Sequence, residues 1–124
     1  MSDSRELLTA ARANALLRFR GQASVAETER EAQRAAFNAG VNDRFNQMSA
    51  ELPSLGEGTD GALVYGNLAA LLALPEPAVE ASPALFYGSR GGVGSFDAEV
   101  RRLQSRINSD ATQADADGEG DLFP

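Results

Sequence analysis

The residues of this chain that could do chemistry are carboxylates, hydroxyls and arginines, because histidine, cysteine and lysine are all absent. Without them there is no imidazole base, no thiolate nucleophile and no Schiff-base lysine. Disulfides and thiolate or imidazole metal sites are excluded on the same ground. The carboxylates gather in two places. Glu27, Glu29 and Glu31 alternate along a helical stretch, so a spacing of two points their side chains apart and suits a solvated face. Asp115, Asp117 and Glu119 alternate with Ala and Gly, and lack the ligand order and the terminal glutamate of a calcium loop. No catalytic or metal residue is assigned, no cofactor is expected, and the chain is not expected to be an enzyme.

Two further constellations deserve a chemical test. Gly88-Ser-Arg-Gly-Gly-Val-Gly-Ser95 precedes an amphipathic stretch, and a glycine-rich turn before a helix can cradle phosphate with its N–H groups. Val93 stands where a P-loop needs its second glycine and Gly94 where it needs lysine, so the segment is expected to be a flexible turn. Arg101, Arg102 and Arg106 could face a nucleic-acid backbone, but the net charge is -7. Residues 1–109 carry 13 acids against 11 arginines, and from Asp110 onward there are five acids and no arginine. A general nucleic-acid binder needs a net basic surface, so nucleic acid is not an expected partner.

The remaining candidates are apolar anchors for protein surfaces. Phe37, Val41, Phe45, Met48 and Leu52 recur at intervals of 4, 4, 3 and 4, one stripe of a helix. Each would contribute roughly 1.5–3 kcal/mol on burial, and so small a chain has little of its own with which to cover them. Gly61-Ala-Leu-Val-Tyr-Gly-Asn67 is echoed 22 residues later by Pro83-Ala-Leu-Phe-Tyr-Gly-Ser89. The echo is open to two readings. The copies could be short strands that pair, or extended arms that set Tyr65 and Tyr87, with Phe86, into equivalent pockets on neighbouring subunits. Asp121-Leu-Phe-Pro124 ends the chain with two large apolar residues, Leu122 and Phe123, on an acidic stretch. Over about eight residues this tip resembles, in style, the acidic phenylalanine-bearing tips of bacterial single-stranded-DNA-binding proteins. The order Leu-Phe-Pro departs from theirs and nothing upstream resembles an OB-fold, so the likeness carries over no function, and the tip reads either as a frayed terminus or as a docking peptide.

The elements that must carry these residues are mainly helical. Asp3 with Glu6 has the spacing of a capping box, and Leu8, Ala11, Ala15 and Phe19 share a face, which predicts a helix over about 4–20, with Arg18 and Arg20 in its last turn and Gly21 as its stop. Ser24 with Glu27 predicts a second helix over about 25–51, ended by Pro53. Its first half offers Ala32, Ala35, Ala36 and Ala39 for close approach. Residues 53–94 are rich in Pro and Gly and are expected to form an extended arm, with short strands at 62–65 and 84–87 or a short helix capped by Asn67. Ser95 predicts the start of a last helix, 95–109, with Asp97 and Glu99 in its positive first turn and Phe96, Val100, Leu103 and Ile107 on its apolar face. Residues 110–124 form an acidic tail expected to be disordered.

These features predict one mainly α domain at most, within 124 residues. The longest apolar run, residues 62–74, is 13 long and too short to span a bilayer. The opening residues lack a secretory pattern, so a cytoplasmic protein, or a virion protein if phage-encoded, is expected. The functional expectation is a non-enzymatic structural or assembly subunit that binds neighbouring protein subunits as a homo-oligomer or in a larger assembly, such as a connector, cement or minor protein of a phage virion. The alternative is an acidic regulatory adaptor or chaperone-like protein that docks a partner through its C-terminal tail.

Overall fold

A computed structural model gives the structure of the chain and describes the backbone of residues 3–20, 26–78 and 83–122, with side chains for all of these except 83–87 and 108–122. The described residues form four α-helices and one 3₁₀ turn, in the order α1 (Ser4–Leu16), α2 (Glu27–Glu51), a 3₁₀ turn (Leu52–Ser54), α3 (Gly61–Leu72) and α4 (Pro83–Leu122), with no strand among them.

α1 begins as expected: the Asp3 carboxylate accepts from the Glu6 N–H at 2.8 Å, satisfying one of the free donors of the first turn. It ends earlier than expected, at Leu16. The Leu17 and Arg18 amides fall back on the Asn14 and Ala15 carbonyls, a 3₁₀-type tightening that turns the chain. Arg18 and Arg20 therefore lie past the helix, and Phe19 meets Phe37 edge-on at 5.5 Å between ring centroids. α2 starts at Glu27 with Ala26 at its N-cap and no side-chain cap. Ser24 and Gly21, the predicted cap and stop, lie outside the described residues.

The Pro/Gly-rich segment corrects the sequence expectation. Residues 62–65 are the first turns of α3, capped by Asp60, whose carboxylate accepts from the Leu63 N–H at 3.2 Å. Asn67 sits inside that helix and caps nothing. Residues 84–87 and the predicted glycine turn 88–94 belong to α4, so this helix starts at Pro83 and Ser95, Asp97 and Glu99 lie well inside it. The 22-residue echo thus marks two helix starts, one behind an Asp cap and one with proline at its first position, where a missing N–H costs nothing.

Helical glycine costs up to about 1 kcal/mol against alanine, and packing supplies the reason for several of them here. A Cβ on Gly92 would strike the Phe37 carbonyl, and one on Gly40 would strike the Ser89 carbonyl. One on Gly88 would lie 3.1 Å from the Gln33 carbonyl oxygen and 3.2 Å from Ala36 Cβ. α2 and α4 therefore approach backbone to backbone, over a spacing only glycine permits. Of the alanines expected to allow this approach, only Ala36 is buried; Ala32, Ala35 and Ala39 face outward.

The contacts fix the directions. Gly88 lies by Ala36, Gly92 by Phe37 and Val41, Phe96 by Phe45, and Asp97 by Arg44, so α2 and α4 run parallel. Phe19 by Phe37 and Arg12 by Phe45 make α1 antiparallel to α2. Tyr65 by Gln104 and Glu76 by Arg90 make the α3 segment antiparallel to α4. α4 is the hub, with α2 as its most extensive neighbour and α1 and α3 on its flanks. The core between them contains Leu8, Ala11 and Ala15 of α1, Phe37, Val41 and Met48 of α2, Leu52 of the 3₁₀ turn, Val64, Leu68 and Leu71 of α3, and Phe96, Val100 and Leu103 of α4.

Carried forward, the Arg44–Asp97 register sets the end of α2 level with about Gln104. The α4 backbone continues for about 18 more residues to Leu122, roughly 27 Å at 1.5 Å per residue. Residues 110–122, expected as an unordered tail, continue this helix. Elongating a helix already nucleated by packing avoids the cost of a new first turn.

Candidate functional site

Arg44 projects from α2 between Val41 and Met48, into the core, and is 1% exposed. A charge there requires partners for every donor. Nε donates to Asp97 Oδ1 at 2.9 Å and Nη2 to Asp97 Oδ2 at 3.2 Å, the fork-to-fork pairing that suits a planar guanidinium. The remaining donors reach backward to the end of α3. Nη2 donates to the Leu72 carbonyl at 3.3 Å, and Nη1 to the carbonyls of Leu74 and Pro75 at 3.1 and 3.0 Å and to Gln47 Oε1 at 2.7 Å. Gln47 adds a 2.6 Å bond from Nε2 to the Pro75 carbonyl. The last carbonyls of a helix have no partner within it. Here a side chain from another helix serves the Leu72 carbonyl, the last of α3, and the Leu74 and Pro75 carbonyls just beyond it, and its positive charge suits the negative helix end.

Two smaller polar contacts complete the frame. Asn67, buried in α3, donates through Nδ2 to Ser4 Oγ at 3.2 Å and to the Gly56 carbonyl at 3.1 Å, joining α3 to the start of α1 and to the loop before it. Glu99 of α4, nearly buried, accepts from Arg18 Nε and from Arg102 Nε, both at 3.0 Å, and so ties the end of α1 to α4. Arg18 remains more than half exposed, so solvent screens that pair and its contribution is small.

The chemistry of this arrangement is positional. Both Asp97 oxygens are engaged, and the other acceptors are the Gln47 amide oxygen and backbone carbonyls. A hollow of about 110 Å³ beside the α1 N-terminus is lined by Asp3, Ser4, Arg5, Leu52 and Gly56 to Gly58, and an open one of about 240 Å³ by Leu16, Leu17, Phe19, Arg34 and Asn38. Among the described residues no group of three or more acidic side chains could hold a metal ion, and no helix is long and apolar enough to cross a membrane.

The sequence-predicted anchors divide. Phe37, Val41, Met48 and Leu52 are buried in the core, covered from within the chain. Phe45 is half-buried, under the Arg12 guanidinium at 4.4 Å and edge-on to Phe96 at 6.2 Å. Burial of this stripe needs no second chain, because α4 starts 12 residues earlier than the sequence suggested and lies along it. Tyr65 is 39% exposed on the outer side of α3. The side chains of Phe86, Tyr87 and Leu122, and all of Phe123, lie outside the described residues.

Sequence reasoning missed Arg44, Asp97 as its partner, and Asn67. A signal was present. Arg44 falls three residues after Val41 and four before Met48, on the apolar face itself, and Asp97 falls three before Val100 on the apolar face of its helix. Opposite charges that each interrupt a hydrophobic stripe point to a buried pair. Compared with protein-family models, curated proteins and solved structures, the chain matches none.

Proposed function

We propose that this protein is a non-enzymatic structural or assembly subunit, a rigid helical body that presents surfaces to neighbouring protein subunits. The observation that carries this reading is the overhang of α4, whose backbone runs roughly 27 Å past the end of its main partner α2. A helix that outreaches its own bundle offers a neighbour a long docking edge. The outer side of α3 supports the same reading. From Gly61 to Pro75 the chain carries no charge, and Ala62, Tyr65, Ala69, Ala70 and Ala73 are exposed there. An uncharged exposed helix face is uncommon on a surface that meets only water. An accessory place in a larger shell, such as a phage particle, is the setting we propose. The interior agrees with a scaffold, since Arg44, Asp97, Asn67 and Glu99 each bridge one element to another.

The second reading, an acidic adaptor, draws on the charge of the overhang. Five acids and no arginine follow from Asp110 on, and negative charge at the negative end of a helix is unfavourable until a basic partner meets it. Neutralising the overhang without shortening it (Asp115→Asn, Asp117→Asn, Glu119→Gln and Asp121→Asn together) separates the two. For an assembly subunit, mass photometry finds a concentration-stable oligomer or a stoichiometric complex that survives neutralisation and is lost on truncation before residue 111. For the adaptor, neutralisation alone abolishes binding to a basic partner. A protein that stays monomeric at every concentration and with every candidate partner overturns both.

A further inference from the structure

We propose that α3 is a latch: it opens as a unit from a standing α1–α2–α4 body, and the Arg44 fork is its catch. The inference is independent of which partner the protein serves. α3 has 12 residues, a length at which an isolated helix is marginal in water, so it is helical because it is docked. The loop before it carries Gly56 at φ 99° and Gly58 at φ 144°, conformations open to glycine and unfavourable to other residues. At Gly66, inside α3, an added Cβ would meet nothing within 4 Å, unlike Gly40, Gly88 and Gly92 where α2 meets α4. Three apolar side chains of α3, Val64, Leu68 and Leu71, are buried, with Leu72 and Leu74 partly buried beside them, and polar tethers add to them: the Arg44 fork at its C-terminal end, Asn67 in its middle and Gln104 on the Tyr65 carbonyl at 3.3 Å.

Hydrogen bonds of this kind exchange for water at small net cost. The catch has a further property. When α3 lifts, Nη1 and Nη2 of Arg44 lose carbonyls and gain water, while the Nε and Nη2 pairing to Asp97 connects α2 to α4 and stays in place. The ion pair is then partly rehydrated, which relieves the desolvation cost of holding it in the core. Closure therefore sets the burial of Val64, Leu68 and Leu71, and part of Leu72 and Leu74, against the drying of one charge pair. That balance is close enough for opening below the global unfolding energy.

Native-state hydrogen exchange on the full chain tests this. The amides of residues 64–72 should exchange at least tenfold faster than those of residues 37–48 and 92–103. Gln47→Ala and Asn67→Ala should each speed the α3 set by about a further tenfold and speed the α2 and α4 sets by no more than the same factor, because global unfolding breaks the same contacts, so the gap between the sets persists. The chain has no cysteine, so Leu71→Cys and Val41→Cys give a second readout. Both positions are fully buried, and the thiol at 71 should be labelled at least tenfold faster. Exchange of all three helices at one common rate, variants that leave the α3 rate unchanged, or equal labelling of the two thiols would each overturn the latch.

Discussion

The two interfaces that α4 makes, with α2 and with α3, are built on opposite principles. Against α2 the contact includes a backbone-on-backbone stretch, through Gly40, Gly88 and Gly92, with no room to adjust. Against α3 the contact is side chain on side chain with a hydrogen bond from Gln104, and α3 is closed off from its other neighbours by Arg44 of α2 and by Asn67 on Ser4 of α1. Close apposition along the glycine stretch gains dispersion and resists any change of volume. An attachment ended by hydrogen bonds is specific in register yet replaceable by water. The first principle makes a fixed axis, and the second makes an element that can be exchanged against solvent.

The largest blow to this contrast comes from the group that serves both sides. Arg44→Met removes the partner of buried Asp97 and the cap of α3 together, and breaking a buried pair from one side costs about 3–5 kcal/mol. Urea unfolding should show that loss. The double variant Arg44→Met with Asp97→Leu should recover most of it, since no uncompensated charge remains. A double variant as unstable as the single one would show that the α3 carbonyls, not Asp97, carry the cost. Next comes the seam. Gly92→Ala drives a methyl into the Phe37 carbonyl, where only backbone can yield, and overpacking of this kind costs about 1–3 kcal/mol. We expect the upper end of that range, read by the same unfolding curves, and a loss spread over the whole molecule.

Those residues also mark where the sequence was legible. The apolar stripes of α1, α2 and the middle of α4 could be read directly, because periodicity reports which face is buried whatever covers it: Leu8, Ala11, Phe37, Val41, Phe96 and Val100 are all in the core. What covers each stripe was not legible. Gly88, Gly91, Gly92 and Gly94 lower local helix propensity, so they signal a turn to any reading of the segment alone. Gly88 and Gly92 have their helical reason in atoms of α2 some 50 residues away. Arg44 was hidden for the related reason that arginine is ordinarily exposed, and its partners Leu72, Leu74 and Pro75 are backbone groups that no side-chain pattern reveals.

The smallest expected effect gives the sharpest discrimination between the two regions. Gly66 in α3 and Gly94 in α4 are both helical and exposed, and a Cβ on either meets nothing within 4 Å. Alanine at each should stabilise the folded chain by about 0.5–1 kcal/mol, a rise of about 2–4 °C in Tm by calorimetry. Globally the two substitutions look alike. Locally they differ, because Gly66→Ala favours the closed, helical form of α3 and should slow exchange of residues 64–72 several-fold. Gly94→Ala leaves the α3 opening untouched and adds its increment to the α2–α4 axis alone. If Gly94→Ala protects α3 amides as strongly as Gly66→Ala does, the two regions open together and the contrast between fixed seam and exchangeable helix fails.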